Sequence, residues 1–226
     1  MTRLQFPKAV VFDMDGLLFD TETIVRDAMV AASRRLGFEV PEPLFLSLIG
    51  LAGDVSRVKL LDHYGPAFDI DGFWAEVDVD FNRLLAGRRF LKAGVVELLD
   101  WLDERRIPRA IATSSHHVHV QRNLAMHDLT GRFDAVVAHG DCEFGKPDPG
   151  PFLEAARRLN TEPANCLALE DSFNGVRAAS AAGMMTIMVP DLLQPTDDIR
   201  AVCVAVARDL HHVRQLLAQS LNPPRD

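Results

Sequence analysis

The chain contains 226 residues, of which 48% are apolar and 25% are charged, a composition typical of a globular protein with a buried core. The 24 basic and 32 acidic residues give a net charge of −8, which argues against binding to nucleic acid or to an anionic membrane surface. Three cysteines far apart in the sequence argue against a disulfide framework, and neither a signal peptide nor a membrane span is predicted, so we expect a cytoplasmic protein.

Short apolar runs alternate with helical patterns along most of the chain. Strands are predicted at 9–12, 109–113, 135–138, 166–169 and 185–189. Helices are predicted at 95–105, 118–127, 151–159 and 176–182. This alternation predicts an α/β fold with a doubly wound, Rossmann-like parallel sheet that carries helices on both faces. Residues 222–226 are expected to form a loose tail.

Residues 17–89 interrupt the alternation, because their apolar residues recur at helical spacing and no buried strand is evident. We therefore predict a helical cap domain at 17–89, inserted into a core formed by 1–16 and 90–226. The alternative is that these helices pack on the sheet as an ordinary part of the core. A long excursion directly after a strand end is a common position for a functional lid.

Unusual polar groups follow four of the predicted strands. The groups are Asp13-Met-Asp15, Thr113-Ser-Ser115, Gly145-Lys146-Pro147 and Glu170-Asp171-Ser172. A single acid at a strand end is more often a turn former or a helix cap. Ligands of doubly wound sheets, however, bind beyond the carboxyl ends of the strands, so four such groups predict one site.

Electrostatics limits what this site can do. Two like charges 4 Å apart repel by about 4 kcal/mol at an effective dielectric of 20, so Asp13, Asp15 and Asp171 together require a cation. Carboxylate oxygens favour a hard metal ion such as Mg²⁺, which leaves coordination positions for a phosphate oxygen. Lys146 adds a second positive charge and Thr113 a hydroxyl donor. The set predicts phosphoryl transfer.

The same residues belong to four ordered segments that resemble the motifs of the haloacid dehalogenase-like superfamily. The segments are Asp13-Met-Asp-Gly-Leu-Leu-Phe-Asp-Thr-Glu22, Ala112-Thr-Ser-Ser115, Gly145-Lys-Pro-Asp-Pro149 and Glu170-Asp-Ser172. The resemblance includes a helical cap after the first motif. It is greatest to the branch of small-metabolite phosphatases that is related to β-phosphoglucomutase.

This resemblance implies a role for each acid. Asp13 would be the nucleophile that forms an aspartyl-phosphate, and Asp15 the general acid and then the general base. The metal, Mg²⁺, would be bound by the carboxylates of Asp13 and Asp171 and by the main-chain carbonyl of Asp15. Glu170 would act from the outer shell through a metal-bound water.

The resemblance also implies how the substrate is held. Thr113, Ser114 and Lys146 would bind it, with Thr113 donating to the phosphoryl group and Lys146 neutralising its charge. The expected activity is Mg²⁺-dependent hydrolysis of a small phosphorylated metabolite, either a sugar phosphate or a phosphorylated short acid. The protein is expected to be a monomer or a weak homodimer.

Three alternatives differ from this function at identifiable positions. Dehalogenases usually lack an acid at the position of Asp15. β-Phosphoglucomutases resemble this chain but carry a histidine at the position of Val25 and a basic residue in the segment 49–55, so simple hydrolysis is favoured over a phosphomutase. A receiver domain, which stores a phosphoryl group as a signal, lacks a helical insert and presents its phosphorylated aspartate on a later strand.

Other polar residues are open to more than one interpretation. His116, His117 and His119 suggest a zinc cluster, and His116 or His117 a substrate contact, although such a group at a helix start is more often polar surface. Glu22 is interpreted as a cap or hinge contact or as a solvated acid in the first turn of a helix. Candidate pocket residues of the cap are Leu17, Phe19, Leu51, Ala52, Arg57 and Arg83.

Overall fold

Six parallel strands form a central sheet within residues 4–221, the part of the chain that the structure, a computed structural model, describes. The predicted tail at 222–226 lies outside these residues. In chain order the strands are β1 (Ala9–Phe12), β2 (Arg109–Ala112), β3 (Ala135–Val137), β4 (Cys166–Glu170), β5 (Met185–Met188) and β6 (Ala205–Val206). Their order in the sheet is β3-β2-β1-β4-β5-β6, and every neighbouring pair is parallel.

Ten α-helices accompany the sheet in the described part of the chain. They are α1 (Thr21–Arg35), α2 (Glu42–Leu46), α3 (Gly53–Tyr64), α4 (Ile70–Leu85), α5 (Val95–Glu104), α6 (His117–Met126), α7 (Gly150–Arg158), α8 (Phe173–Ala181), α9 (Asp197–Val202) and α10 (Leu210–Leu221). None of the helices within residues 4–221 is both long and apolar enough to cross a lipid bilayer.

The strands bury both of their sides, which explains their nearly continuous apolar sequences. Successive residues of a strand face opposite sides of the sheet. On β1, Val10 and Phe12 lie in one apolar cluster with α5 and α10, whereas Ala9 and Val11 lie in a second cluster with α7 and α8. Helices on both faces confirm the predicted doubly wound α/β class.

The five predicted strands are present with ends that differ from the prediction by at most one residue. The four helices predicted in the core are also present. The analysis of the sequence missed β6, α9 and α10. Two residues of strand and six of helix are too short to produce a periodic apolar pattern, and α10 follows them without a strong start signal.

Four helices, α1 to α4, lie between β1 and α5. They share an apolar cluster of their own that contains Met29, Phe45, Leu60 and Phe73, and α1 packs along α4. Among the described residues of 17–89, the only strand-like pairings are isolated bridges made by Phe19. The division into a core and a cap at these boundaries stays a prediction.

The two chain segments that lead into and out of these helices lie side by side. The Asp20 amide donates to the Phe90 carbonyl at 2.7 Å, and the Lys92 amide donates to the Leu18 carbonyl at 2.9 Å. The Phe90 amide in turn donates to Nε2 of the buried His127 at 3.1 Å. The segments that enter and leave the helical insert are therefore joined to each other by backbone hydrogen bonds where the insert meets the core.

Candidate active site

The four polar groups meet at the carboxyl edge of the sheet, as their positions in the sequence predict. Strand β1 lies between β2 and β4, so the residues that follow it are flanked by those that follow its neighbours. Asp13 directly follows β1, Thr113 follows β2, and Asp171 follows β4. Lys146 arrives from the loop after β3.

A buried ion-pair network joins three of these groups. The Lys146 ammonium pairs with the Asp13 carboxylate and with Oε1 of Glu170, the latter at 2.5 Å. All three side chains are buried. Burial acts to lower the pKa of Lys146, but the two carboxylates outweigh it and hold that pKa above its usual value. Lys146 therefore stays charged and fixes the orientation of Asp13.

Three carboxylates form a cluster that suits a metal ion. One oxygen from each of Asp13, Glu170 and Asp171 lies within 4.8 Å of the others. Burial, reinforced by the neighbouring acids, raises the pKa of both Asp13 and Asp171 well above the usual range, although Lys146 opposes the effect. The cluster is thus short of positive charge, and its hard oxygen donors fit a divalent cation such as Mg²⁺.

Two glycines allow the acids to come this close. Gly16 has φ +85°, and a Cβ there would lie 2.2 Å from Oδ2 of Asp171. A Cβ on Gly175 would lie 1.8 Å from Oε1 of Glu170. Any larger residue at either position would displace a carboxylate of the cluster.

The Asp15 side chain lies apart from this cluster and is held by hydroxyl groups. Thr21 donates to its Oδ1 at 2.6 Å, and Ser115 donates to its Oδ2 at 2.7 Å. The Thr113 hydroxyl lies 3.5 Å from the same Oδ2. Thr21 and Ser115 lie within the motifs quoted from the sequence, but no role was predicted for either. The position of Ser115, two residues after Thr113, is the signal that could have identified it.

Ser114, predicted to bind substrate, contacts the loop before α3 in this structure. Its hydroxyl donates to the Gly50 carbonyl at 3.1 Å, and the Asn174 side chain donates to the Ile49 carbonyl at 3.2 Å. Gly50 has φ +75°, and a Cβ there would lie 2.4 Å from the Ser172 hydroxyl oxygen. The loop is therefore docked closely on the core, beside the acids.

A cavity of about 380 Å³ opens over Asp13 and Asp15 between the sheet edge and the helical insert. Its apolar wall is formed by residues of the insert that include Val25, Phe45 and Leu51. The volume lies within the range of small-molecule sites. A second cavity of about 110 Å³ adjoins Thr113, Ser114 and Lys146 and is bounded in part by Ala52.

The other cap candidates lie elsewhere. Leu17 and Phe19 are buried in the apolar core below the site. Arg57 and Arg83 form ion pairs on the outside of the insert, with Asp71 and Asp80 respectively. Neither arginine is among the described residues that line the main cavity. The sequence does not show whether each of these side chains points toward the cavity, into the core or toward solvent.

Glu22 lines the cavity and is half-buried. Desolvation, followed by the nearby charges of Asp15 and Asp13, raises its pKa to about 8, although a hydrogen bond from the Gly50 amide opposes the shift. Of the two interpretations of this acid, a cap or hinge contact is the one that its half-buried position in the cavity wall matches. A freely solvated carboxyl would not be shifted in this way.

The histidines are divided between surface and cavity. His117 pairs with Asp141 at 2.9 Å, whereas His116 and His119 line the cavity. Within residues 4–221, the carboxylate cluster is the only group of three or more potential ligands close enough to hold a metal ion. The histidines therefore form no zinc site in the described part of the chain.

Comparison with known proteins identifies extended similarities. A sequence model described as haloacid dehalogenase-like hydrolase matches residues 7–183. Protein CbbY (plasmid) of Cupriavidus necator is 32% identical in a 217-residue alignment that covers 88% of this chain and 84% of that protein. A phosphorylated carbohydrates phosphatase of Thermotoga maritima is 31% identical over 180 residues, covering 80% of this chain and 83% of that protein.

A solved structure has the same architecture. The crystal structure of β-phosphoglucomutase from Clostridium difficile superimposes with a TM-score of 0.78 and covers 95% of this chain and 99% of that one. Its sequence identity is 20%, so this likeness shows the fold alone. Residues 7–183, which match the sequence model, contain all four polar groups and the helices between β1 and α5.

Proposed function

Because the chain belongs to the haloacid dehalogenase-like hydrolase family, we propose that it is a phosphatase that hydrolyses the phosphate monoester of a small metabolite through an aspartyl-phosphate on Asp13. The substrate is a sugar phosphate or a phosphorylated short acid. The observation that carries the proposal is that two acids with different hydrogen-bonding partners line the same cavity. Asp13 is fixed by Lys146, and Asp15 is fixed by three hydroxyl groups.

The two acids divide the chemistry between them. A carboxylate oxygen of Asp13 attacks phosphorus, the bond from phosphorus to the ester oxygen breaks, and the leaving oxygen takes a proton from Asp15. Asp15 then accepts a proton from a water molecule whose oxygen attacks the aspartyl-phosphate. This second step releases inorganic phosphate and regenerates Asp13. Thr21 and Ser115 orient Asp15 for both proton transfers.

Mg²⁺ would be held by the carboxylates of Asp13 and Asp171 and by the main-chain carbonyl of Asp15. Glu170, which is engaged by Lys146, would support it from the outer shell. The ion would supply positive charge to the phosphoryl oxygens. Lys146 contributes a fixed ammonium group from the protein side, and the Thr113 hydroxyl offers a donor to the phosphoryl group.

The helical insert, residues 17–89, acts as the cap that excludes bulk water. Ile49 and Gly50 are hydrogen-bonded to Asn174 and Ser114 of the core, so the cap loop covers the acids directly. A closed site strengthens electrostatic interactions and restricts which water reaches the aspartyl-phosphate.

Hydrolysis is favoured over phosphomutase activity by the cap residues that face the cavity. Val25 lines the cavity at the position where β-phosphoglucomutases carry histidine. Ile49, Gly50, Leu51 and Gly53 also line it, and none is basic. The cap therefore offers neither of the groups that would hold a phosphorylated intermediate for its return to Asp13.

The test is repeated turnover of p-nitrophenyl phosphate with Mg²⁺, compared among the wild type, Asp13→Asn and the surface control Asp27→Asn. We expect Asp13→Asn to lower kcat by about 10³-fold or more, because the nucleophile is lost, while its thermal unfolding stays cooperative. Asp27→Asn should match the wild type. Near-normal steady-state turnover by Asp13→Asn would exclude the mechanism, and release of a single equivalent of product by the wild type would indicate a receiver-like switch.

A further inference from the structure

The cavity extends beyond the acids into a gap between α4 of the cap and α6 of the core. Three side chains that line it carry buried polar atoms without a hydrogen-bond partner among the described residues. The atoms are Nε1 of Trp74, Nε of Arg122 and Oδ1 of Asn123. Arg122 lies six residues after His116, about 9 Å further along the helix axis, so this group is separate from the phosphoryl end.

Unpartnered buried polar atoms are rare in native proteins, because leaving them unpaired costs free energy. Asn123 is the most deeply buried of the three residues, since it is only 2% exposed, and it still lines the cavity. The three residues that carry these two donors and one acceptor line the same gap. A ligand bound in the gap could partner all three residues after small movements of their side chains.

The charge of this group is positive. Among the described residues that line the cavity, Arg122 is the only arginine or lysine, and no carboxylate of the described residues lies within salt-bridge distance of it. Asp78, the acid of α4 that lines the same gap, is exposed and unpaired with it. The guanidinium is steadied by the Phe81 ring, whose centroid lies 5.6 Å away.

His119, on the same helix face, adds little charge near neutral pH. His116, His119 and Arg122 follow one another at three-residue spacing, which places them on one side of α6. Burial, followed by the charges of Arg122 and His116, lowers the pKa of His119. Arg122 is therefore the permanent cation of the gap.

We propose that Arg122, together with Trp74 and Asn123, forms a subsite for a second anionic group of the substrate. This inference deepens the proposed function and rests on it. A guanidinium binds a carboxylate or a phosphate through two parallel hydrogen bonds, and the Trp74 N–H supplies a further donor. Asn123 accepts from a hydroxyl beside the anionic group. The substrate class is thus a hydroxylated phosphate monoester that carries a carboxylate or a second phosphate.

The test measures competitive inhibition of p-nitrophenyl phosphate turnover, which reports binding whether or not the competitor is itself hydrolysed. Two matched pairs separate charge from size: glucose 6-phosphate with 6-phosphogluconate, and fructose 6-phosphate with fructose 1,6-bisphosphate. We expect at least one competitor with a second anionic group to bind about tenfold more tightly than the monophosphate with which it is paired. The pair that responds distinguishes a carboxylate from a second phosphate.

Variants assign that preference to the subsite. Arg122→Gln should weaken binding of the preferred competitor, the one with a second anionic group, about tenfold and change binding of the paired monophosphate by less than about twofold. Arg122→Lys, which keeps the charge but not the paired geometry, should retain part of the preference. Trp74→Phe should cause a smaller loss for the same competitor. Arg200→Gln removes an equal charge from the exposed surface of α9 and should change nothing.

Two results would overturn the subsite. One is equal binding of both members in each pair by the wild type. The other is a loss of affinity in Arg122→Gln that is the same for competitors with and without a second anionic group, which would show a structural role for the residue. Failure of the proposed function is a different result, because the wild type would then not turn over p-nitrophenyl phosphate, and calorimetric titration of the same four compounds would still decide the subsite.

Discussion

Each acid of the site is controlled by the kind of group that touches it. Asp13 contacts a buried ammonium group and other carboxylates, whereas the side-chain hydrogen bonds of Asp15 within residues 4–221 come from hydroxyl groups. An ammonium partner favours the ionised carboxylate that the proposed nucleophile requires. Hydroxyl partners can donate or accept, so they suit a carboxyl group that changes its protonation state, as Asp15 does in the proposed mechanism. Under this proposal, two residues of the same type have different roles within one cavity.

The carboxyl group of Glu22 should make the stability of the metal-free protein depend on pH. Its pKa is raised to about 8 in the folded protein, whereas the unfolded value is near 4.3. The folded state therefore holds this proton more tightly, and stability is full below the unfolded pKa and lost as pH rises through the folded pKa. In EDTA, we expect Glu22→Gln to gain stability over the wild type by about 1 kcal/mol per pH unit between pH 5 and 8.

Urea unfolding across this pH range measures the difference. Glu97→Gln is the matched control, because it makes the same change at an exposed acid on the surface of α5. The control should show a difference from the wild type that does not change with pH. Parallel stability curves for Glu22→Gln and the wild type would contradict the account of this carboxyl group.

The cap loop is the element whose fit to the core is closest. Gly50→Ala would place a methyl group 2.4 Å from the Ser172 hydroxyl oxygen, at a backbone φ of +75°. The loop would have to withdraw, which would weaken its hydrogen bonds to Ser114 and Asn174 and admit water. We expect kcat/KM for p-nitrophenyl phosphate to fall by about tenfold or more, since small displacements at a closed site have large effects.

Backbone strain alone can be separated from loss of closure. Gly37 also has a positive φ, +83°, but a Cβ there would have no neighbour within 4 Å. Gly37→Ala should therefore lower the melting temperature through strain and leave kcat/KM unchanged. Full activity in Gly50→Ala would show that close docking of this loop is not required.

What the sequence can predict depends on whether the information is local. The strand β1 and Asp13 are adjacent in the chain, so the apolar run predicts where the acid lies, and the same reasoning brings Thr113, Lys146 and Asp171 to one sheet edge. Arg57 and Arg122 both lie on helices with exposed positions, yet only Arg122 faces the cavity. Helix orientation is set by packing between distant elements, and a single sequence carries no direct record of it.

At the scale of the whole molecule, the carboxyl edge of the sheet carries an excess of negative charge. Three clustered carboxylates face one buried ammonium group, and the raised pKa values of Asp13 and Asp171 reflect burial without enough positive charge. A protein with such a cluster is less stable than it would be with a cation bound. Binding of a metal ion at this cluster would therefore be coupled to folding.

This coupling predicts a large effect of Mg²⁺ on unfolding. At a free concentration a hundredfold above its Kd, a ligand stabilises the native state by about 2.7 kcal/mol, which for a chain of this length raises Tm by about 5–10 °C. EDTA should reverse the shift. Asp171→Asn should abolish most of it, and in EDTA this variant should be as stable as the wild type or more so, because one buried carboxylate is removed.

The control for this experiment is Asp62→Asn, which removes an exposed acid of α3 and should keep the full Mg²⁺ shift. The two variants carry the same change in net charge, so a general electrostatic effect of the ion would move both equally. An equal Mg²⁺ shift in Asp171→Asn and the wild type would place the ion elsewhere. If instead only Asp171→Asn loses the shift, the ion is held where β1 and β4 end, next to the carboxylate of Asp13, the proposed nucleophile.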